Sequence, residues 1–352
     1  MKYLSLFSGI GGFELGIQQA YEDLQKLCIK DKRKSKGSSL RNSEGRSEQL
    51  HKFGLEGLSC IGFSEIDKYA TKIYQSHFPE HKNYGDITKI VAEDLPDFDL
   101  LVGGFPCQSF SIAGKRGGFN DTRGTLFFDV ARILKAKQPR NFILENVKGL
   151  LSHDSGRTFR TIITTLDELG YDLQWQVLNS KNFGVPQNRE RVYIVGHLRG
   201  TPRPEVFPIG ESNPKTLKQI IGGSQGFRVY DTDVIATTQA SLAGGLGAKT
   251  GLYLARVSRK EGVYDMRETE ISGTLTSTMY KGIDASGRTG GKEGDKIRRL
   301  TPTECARLQG FPDDWHKIEG ISDTQAYKCY GNAVTVNVVK EVVKRLLTPN
   351  GD

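Results

Sequence analysis

A cysteine at position 107 has the neighbours expected of a reactive thiol. It follows the apolar run Leu100–Val102 and the sequence Gly-Gly-Phe-Pro, and it precedes a loop rich in glycine, serine and basic residues. Such an apolar run predicts a buried strand, and open α/β sheets bind their ligands beyond the carboxyl ends of their strands. Most free cysteines are buried and inert, so Cys107 by itself supports both a catalytic and a structural interpretation.

Three further residues could supply the charges that such a site needs. A cysteine attacks as the thiolate, which nearby positive charge stabilises. Arg189 and Arg191 lie between Pro186 and an apolar strand, although a solvated strand edge would explain the same run. Glu145 directly follows the buried run 142–144. A carboxyl group at that point either keeps its proton and acts as an acid or caps the next turn.

Glycines and acidic residues near the N-terminus predict a ligand site. The stretch Phe7–Gly12 reads Phe-Ser-Gly-Ile-Gly-Gly and lies between a predicted strand and a predicted helix. Glycines let a ligand approach the backbone and a helix N-terminus offers N–H groups, although a plain tight turn explains the motif about as well. Glu65 follows the second predicted strand, and Asp86, in Gly85-Asp86-Ile87, follows a short stretch that would form a third. Acidic groups there favour an adenosine-type ligand over pyrophosphate, although each alone is also a common strand-end cap.

Strand and helix patterns that would position these residues alternate through the first 199 residues. Strands are predicted over 3–7, 59–64, 97–102, 141–144, 174–178 and 191–195, and helices over 14–27, 68–76 and 158–169. This alternation predicts an α/β domain with a mostly parallel sheet.

Two stretches depart from this pattern, and two predicted helices follow them. Residues 28–54 are polar and basic, which predicts an exposed, disordered insertion. Residues 222–295 are rich in glycine, threonine and serine, with strand-like pieces at 228–230 and 252–256, and they predict a second, irregular domain that contains β-structure. A helix is predicted from Thr301. An apolar-periodic helix over 333–347 is expected to pack on the first domain, because alone it has nothing to bury against.

Composition limits the class of protein. The chain has 352 residues, 37% of them hydrophobic, and no apolar run long enough to cross a bilayer. Five cysteines without metal-type spacing indicate reduced thiols in the cytoplasm. The net charge of +8 permits a polyanionic partner, but eight Lys and Arg against three acidic residues lie between Lys30 and Lys52. Charge alone therefore does not place a nucleic acid on the folded body.

Five motifs in a fixed order resemble those of the DNA (cytosine-5)-methyltransferases, especially the small bacterial HhaI-type restriction-modification enzymes. They are FSGIGG, GGFPCQ, ENV, QNRER and GNAV. The resemblance implies a class I S-adenosylmethionine-dependent methyltransferase sheet, which is Rossmann-like, and a smaller, irregular, β-containing target-recognition domain. The domains it implies are 1–199 for catalysis and cofactor binding, 200–300 for target recognition, 301–330 as a hinge that closes the recognition domain, and 331–352 as a C-terminal helix that returns to the catalytic domain.

The resemblance also implies a mechanism. Cys107 would add to C6 of a flipped-out cytosine, because C6 is inaccessible within the base stack. Glu145 would contact N3 and the exocyclic amine, while Arg191, and less directly Arg189, would support O2. C5 would then take the methyl group of S-adenosylmethionine, and loss of the C5 proton would expel Cys107 and leave S-adenosylhomocysteine as product. No metal is implied.

Cofactor contacts are implied for residues from both ends of the chain. They are Phe7, Gly9, Ile10, Gly11, Gly12, Glu65, Ile66, Asp86, Ile87, Gly104, Pro106, Leu126, Asn332, Ala333 and Val334. Glu65 would hold the ribose, and Asp86 and Ile87 would read the adenine edge. Ile66 stands where close relatives often have Trp, so we expect looser packing on adenine and weaker cofactor binding.

DNA contacts are implied for one residue of the loop after Cys107 and for several in the second domain. They are Ser111, Gln225, Arg228, Thr238, Gly244 and Gly245. Gln225 would fill the gap left by the flipped base, and Arg228 would read guanine through its bidentate geometry. The alternatives are a structural glutamine and a phosphate-bound arginine. The loop 111–120 would close over DNA and gate turnover.

The implied partner is double-stranded DNA, together with a cognate restriction endonuclease that acts on the same site without direct contact. We expect a cytoplasmic monomer that is associated with the nucleoid through its binding to DNA. We expect no association with a membrane. Two alternatives stay open: a tRNA cytosine-5 methyltransferase of the same fold, and a catalytically silent DNA-binding relative. The size of the second domain favours DNA, and the intact set of Cys107, Glu145 and Arg191 argues against a silent relative.

Overall fold

The computed structural model describes residues 1–34, 57–106, 126–210 and 300–348. For residues 28–34, and for seven short strands between 219 and 299, it describes the backbone alone. Seven of the candidate residues lie outside the described residues, namely Cys107, Ser111, Gln225, Arg228, Thr238, Gly244 and Gly245.

Six strands form the main sheet, and helices connect most of them. The strands are β1 (Lys2–Leu6), β2 (Ser59–Ser64), β3 (Leu100–Gly104), β4 (Asn141–Val147), β5 (Tyr171–Asn179) and β6 (Glu190–Leu198). The helices are α1 (Gly12–Lys34), α2 (Lys68–His77), α3 (Leu126–Lys137), α4 (Arg157–Glu168), α5 (Pro302–Leu308), α6 (Asp323–Asn332) and α7 (Val336–Leu347). Short 3-10 turns lie at Ile87–Lys89, Ala92–Asp94, Lys148–Leu151, His153–Gly156 and Ser180–Phe183.

The strand order is β2-β1-β3-β4-β6-β5. The pairs β1–β2, β1–β3 and β3–β4 are parallel, while β6 runs antiparallel to both of its neighbours. The expected mostly parallel α/β sheet is therefore confirmed, with one reversed strand inside it. Because the parallel strands share a direction, their carboxyl ends meet at one edge of the sheet.

Alternate side chains of each strand enter two separate cores. Leu4 and Leu6 of β1 belong to a core formed with α3 and α4. Tyr3 of the same strand belongs to a second core formed with α1 and α7. The helices α1 and α7 approach closely at Gly16, where an added Cβ would lie 2.7 Å from Cβ of Val339. Residues near both ends of the chain thus cover the same face of the sheet.

A third core joins α5 and α6 to the N-terminal part of the chain. It includes Ile10 and Ala70 together with Trp315, Phe311 and Tyr330. The helix α5 begins as predicted at Thr301, whose hydroxyl accepts from the Glu304 amide while the Glu304 carboxylate accepts from the Thr301 amide. This reciprocal cap fixes the point at which the chain returns to the main sheet and its helices.

Several element bounds differ from those predicted. The helix α1 continues to Lys34, seven residues into the stretch predicted as a disordered insertion, and residues 35–56 lie outside the described residues. The last helix begins at Val336 rather than 333, because Ala333 caps the end of α6. The third strand expected before Asp86 is reduced to one parallel bridge between Phe63 and Asn83.

The chain that leaves the sheet toward residue 211 is held along the edge strand β5. The side-chain oxygen of Gln174 accepts from the amides of Val206 and Phe207 at 3.0 and 3.2 Å. Gln176 donates to the Ile209 carbonyl at 3.2 Å and accepts from its amide at 2.8 Å. Val206, Phe207 and Ile209 are buried in the same core as α1 and α7. The segment therefore packs against the main sheet and its helices as far as Ile209.

The short strands between 219 and 299 form three small sheets. One has the order β7-β8-β9 (Gln219–Ile221, Val229–Tyr230, Leu252–Tyr253), and the others are the antiparallel pairs β10–β11 (Arg259–Lys260, Val263–Tyr264) and β12–β13 (Gly290–Glu293, Lys296–Arg299). Among the described residues, none of the helices has the length and apolar character needed to cross a membrane.

Candidate active site

Glu145 and Arg191 form an ion pair at the centre of the sheet edge. Arg191 Nε lies 3.0 Å from Glu145 Oε1, and the two side chains are 9% and 11% exposed. The pair forms because β4 and β6 are antiparallel neighbours, in register at Glu145–Tyr193 and Val147–Arg191. The expectation that Glu145 follows the strand is wrong, since β4 extends through it to Val147. The alternative interpretation of Arg189 and Arg191 as part of a solvated strand edge is excluded, because β6 lies inside the sheet and both arginines are buried.

Asn146 holds the segment that leads to Cys107. Its side-chain amide donates to the Phe105 carbonyl at 2.9 Å, and its side-chain oxygen accepts from the Val147 amide at 2.8 Å. Both Asn146 and Phe105 are buried. Cys107 itself lies outside the described residues, but the chain is fixed up to Pro106. Sequence reasoning missed Asn146, although it stands directly after Glu145 in the ENV motif.

Arg189 connects β6 to the C-terminal part of the chain. Its Nη2 donates to the carbonyls of Ala333 at 2.9 Å and Gly331 at 3.3 Å. Burial and the neighbouring Arg191 guanidinium lower its pKa to about 9, and the Glu145 carboxylate partly offsets this. The guanidinium thus holds the turn that carries Asn332, Ala333 and Val334, which sequence reasoning assigned to the cofactor.

Further buried hydrogen bonds hold the same turn. Gln187 donates from its side chain to the Leu308 carbonyl at 2.8 Å, and Gln309 donates to the Tyr330 carbonyl at 2.9 Å. The Thr335 hydroxyl donates to the Gln309 side chain and lies 2.8 Å from the Ser180 hydroxyl. Such a network fixes the turn in one arrangement because each buried polar group would be costly to leave without a partner.

Glu65 organises the loop predicted to bind ribose. One carboxylate oxygen accepts from the Gly9 amide at 2.9 Å, and the other accepts from the amides of Ile66 and Asp67 at 2.9 and 2.8 Å. These bonds join the end of β2 to the glycine loop after β1. Asp67 begins α2 by accepting from the amides of Tyr69 and Ala70.

Asp86 has the capping role that was the alternative for an acid after a strand. Its carboxylate accepts from the Thr88 amide at 3.0 Å and from the Thr88 hydroxyl at 2.8 Å. The amide hydrogen bond, followed by the hydroxyl one, lowers the pKa of this carboxyl group. Ile87 is buried beneath the same turn, in the core that also includes Leu126 at its margin.

The residues at this edge fit an adenosyl group. Gly9 adopts φ +55°, and an added Cβ there would meet nothing within 4 Å, so the loop has open space on that side. Ile66, next to the Glu65 carboxylate, is 76% exposed and offers an apolar surface. Phe7 also has a positive φ, of 54°, and packs at the margin of the first core. The Glu65 carboxylate can accept hydrogen bonds from the hydroxyls of a ribose. The exposed apolar side chain of Ile66 beside it suits the flat base attached to that ribose.

Gly11 and Gly12 are required by packing against the protein itself. At Gly11 an added Cβ would lie 2.6 Å from Cε2 of Phe78, and at Gly12 it would lie 2.8 Å from Cγ2 of Val334. Gly104 brings β3 equally close to β4, since its Cβ would lie 3.1 Å from Oε2 of Glu145. The structure thus brings together the glycine loop, Glu145 and Val334.

Among the described residues, no cluster of three or more His, Cys, Asp or Glu side chains could hold a metal ion.

Comparison with known proteins gives one consistent result. A family model for C-5 cytosine-specific DNA methylases matches residues 1–348. The chain is 38% identical over 359 residues to the type II methyltransferase M1.ScrFI of Lactococcus lactis subsp. cremoris, covering 98% of this chain and 78% of that protein. It is 32% identical over 380 residues to the type II methyltransferase M.HhaI of Haemophilus parahaemolyticus, covering 97% of this chain and 93% of that protein.

Solved structures support the fold. A DNMT2 variant from Spodoptera frugiperda matches with a TM-score of 0.62 at 19% identity, over 99% of both chains. The expected Rossmann-like methyltransferase fold is thereby confirmed, on the evidence of shape rather than sequence.

Proposed function

Since the chain belongs to the C-5 cytosine-specific DNA methylase family and transfers a methyl group to C5 of cytosine in DNA, we propose which of its residues carry out the reaction. Cys107 is the nucleophile that adds to C6 of the cytosine. Glu145 accepts a hydrogen bond from the exocyclic amine and contacts N3, and Arg191 donates a hydrogen bond to O2. The buried pair of Glu145 Oε1 and Arg191 Nε, 3.0 Å apart, carries this proposal.

The pair suits the edge of cytosine because the two side chains offer opposite hydrogen-bonding functions. A carboxylate accepts hydrogen bonds, whereas a guanidinium donates them in a fixed plane. The cytosine edge presents an amine donor and an O2 acceptor, with N3 between them. The Arg191 guanidinium, held in place by Glu145 before the substrate arrives, stabilises the negative charge that spreads onto O2 and N3 as the thiolate adds to C6. The base is flipped out of the helix to reach them.

Asn146 and Arg189 act as positioning residues in this scheme. Asn146 fixes the Phe105 carbonyl two residues before the nucleophile. Arg189 donates to backbone carbonyls of the C-terminal turn. We therefore assign Arg189 to holding that turn rather than to contact with cytosine.

The fold and the family are those of S-adenosylmethionine-dependent methyltransferases, and we propose S-adenosylmethionine as the methyl donor and S-adenosylhomocysteine as the product. The cofactor supplies an electrophilic methyl group. Glu65 binds the ribose hydroxyls and Ile66 covers adenine. The glycine loop, with Phe7 and Val334, forms the remaining wall of the cofactor site.

We propose that no metal takes part in the reaction. Dialysis against a chelator should therefore leave the methylation activity unchanged, and a loss of activity that a divalent cation restores would contradict this.

For target recognition we propose Gln225 as the residue that fills the gap left by the flipped base and Arg228 as a guanine reader, together with Ser111, Thr238, Gly244 and Gly245. The support is the motif likeness. Arg228→Ala should relax or weaken recognition at one base pair, because a bidentate contact contributes about 1–3 kcal/mol of discrimination. Unchanged sequence preference would contradict the assignment.

The domain division is also a proposal. Since Ile209 is buried with α1 and α7, we propose that the catalytic domain continues from 199 to 209. Residues 211–299 would then form the recognition domain, 301–330 would close it, and 331–352 would return to the catalytic domain.

We propose a cytoplasmic monomer that acts on double-stranded chromosomal DNA. A restriction endonuclease that recognises the same DNA sequence would be present in the same cell.

One experiment tests the nucleophile and the target together. DNA from cells that express the chain is sequenced after bisulfite treatment, with Cys107→Ser as the matched control. We expect one short, fully modified motif for the wild type and none for the variant, since serine is a far weaker nucleophile toward C6. Full modification by the variant would contradict the role of Cys107.

A further inference from the structure

Trp315 forms a buried hydrogen bond to the glycine loop. Its indole Nε1 donates to the Ile10 carbonyl at 2.9 Å, across 305 positions of sequence. Trp315 is 8% exposed and Ile10 is 1% exposed. Trp315 lies between α5 and α6, in the segment that follows residues 211–299. The contact therefore joins that returning segment to the loop that begins α1.

The indole ring is itself held in place. The His77 ring stacks on it with centroids 3.5 Å apart and planes at 8°. His77 Nε2 lies 2.7 Å from the Trp315 carbonyl. Because a carbonyl only accepts, this nitrogen carries the proton. The ring of Phe311 lies 5.5 Å away, so the indole has one orientation in which to donate.

The recipient peptide is fixed at both ends. The Ile10 carbonyl accepts from Trp315, and the amide of Gly11, in the same peptide unit, donates to the Ser8 carbonyl at 3.0 Å. Behind the loop, Phe78 lies so close that it would be 2.6 Å from a Cβ at Gly11. The opposite side is open at Gly9. Removing the indole N–H would free this peptide to rotate and leave a buried carbonyl without its donor.

We propose that Trp315 is a positioning residue for the cofactor. It fixes the Ile10 carbonyl and thereby the orientation of the Phe7–Gly12 loop, which receives the amino-acid part of S-adenosylmethionine. This inference rests on the proposed cofactor. It assigns to the segment 301–332 an indirect part in cofactor binding, through the Ile10 carbonyl, in addition to its proposed connection with the recognition domain.

The test compares Trp315→Phe with Trp175→Phe, which changes the other tryptophan of the chain. Phenylalanine keeps a ring for His77 to stack on but removes the donor. Trp175 is half exposed on β5, where it contacts Phe159. Calorimetry should give a Kd for S-adenosylhomocysteine about three- to tenfold weaker in Trp315→Phe, as expected for one lost hydrogen bond. Trp175→Phe should match the wild type.

Kinetics separates positioning from general loss of structure. We expect Trp315→Phe to raise KM for S-adenosylmethionine by the same factor, with kcat at saturation and KM for DNA unchanged within about twofold. Damage to the fold alone would lower kcat through a smaller active fraction and leave KM unchanged. That second pattern, or an unchanged Kd, would overturn the inference.

A measurement on the wild type does not depend on the variant folding. An NMR spectrum of the ¹⁵N-labelled chain contains two indole N–H signals, one from each tryptophan. The spectrum of Trp175→Phe lacks one of them and thereby assigns both. Saturating S-adenosylhomocysteine should shift the Trp315 signal and slow its hydrogen exchange while leaving that of Trp175 unchanged. An unmoved Trp315 signal in a chain that binds the ligand overturns the inference alone. No binding by the wild type overturns the proposed cofactor as well.

Discussion

At the scale of single residues, the catalytic edge depends on two charges that share one hydrogen bond. Glu145 and Arg191 come from antiparallel neighbours, so the strand pairing itself sets their distance. A pair formed in this way is ready before DNA binds. In the role proposed for it, the pair would therefore act on the reacting ring without rearrangement.

Glu145→Gln should keep the shape of the site and remove its negative charge. Glutamine retains an acceptor but cannot exchange a proton with N3 as negative charge builds on the ring, so we expect single-turnover methylation to slow by about a hundredfold or more. Binding of S-adenosylhomocysteine should stay within twofold of the wild type. A variant that methylates at the wild-type rate would show that the pair is structural.

Glu14, the third residue of α1, makes stability depend on pH. It is fully buried, near the hydroxyls of Ser5 and Tyr74, and burial raises its pKa from 4.5 to about 7. The folded state therefore holds this proton over a range in which the unfolded state has lost it. The stabilising contribution is complete below about pH 4.5 and is lost as pH rises toward 7, by about 3 kcal/mol in total.

The variant Glu14→Gln has no such proton to lose. We expect it to lack this part of the pH dependence and to be more stable than the wild type at pH 8, by up to about 3 kcal/mol. Urea unfolding at pH 5 and pH 8 measures the difference. Parallel pH profiles for the two proteins would exclude Glu14 as the titrating group.

At the scale of elements, the close approach of α1 and α7 depends on one missing side chain. Gly16→Ala would place a Cβ 2.7 Å from Cβ of Val339, so the helices must separate. We expect a loss of about 1–3 kcal/mol in the free energy of unfolding. The matched control is Gly149→Ala, where an added Cβ meets nothing within 4 Å and the change should stay within about 0.5 kcal/mol. Equal effects at both positions would exclude the steric explanation.

At the scale of the whole molecule, both passages between the catalytic body and residues 211–299 are hydrogen-bonded to that body. Gln176 holds Ile209 on one side, and the Tyr327 hydroxyl donates to the Leu300 carbonyl at 2.6 Å on the other. Gln176→Leu and Tyr327→Phe should each raise KM for DNA about two- to fivefold, because one anchored end becomes free. The Kd for S-adenosylhomocysteine should not change. A KM for DNA equal to that of the wild type in both variants would show that the anchors serve stability alone.

Sequence patterns predicted the fold and much of the edge, and the exceptions have physical reasons. Apolar periodicity located β2 to the residue, and Glu65 was therefore correctly expected directly after that strand. The end of β4 was missed because Glu145 and Asn146 are polar strand residues, which interrupt the apolar run. The contacts of Asn146 and Trp315 leave no sequence signal, since their partners lie 41 and 305 positions away.

The return of α7 to the face already covered by α1 has a consequence for synthesis of the protein. One side of the sheet is covered by α1 alone until the ribosome has passed Leu347, because Val339 and Val343 complete the core around Tyr3. The turn that Arg189 holds is likewise made only after residues 211–299. A nascent or prematurely terminated chain therefore lacks both a sealed core and a complete cofactor wall.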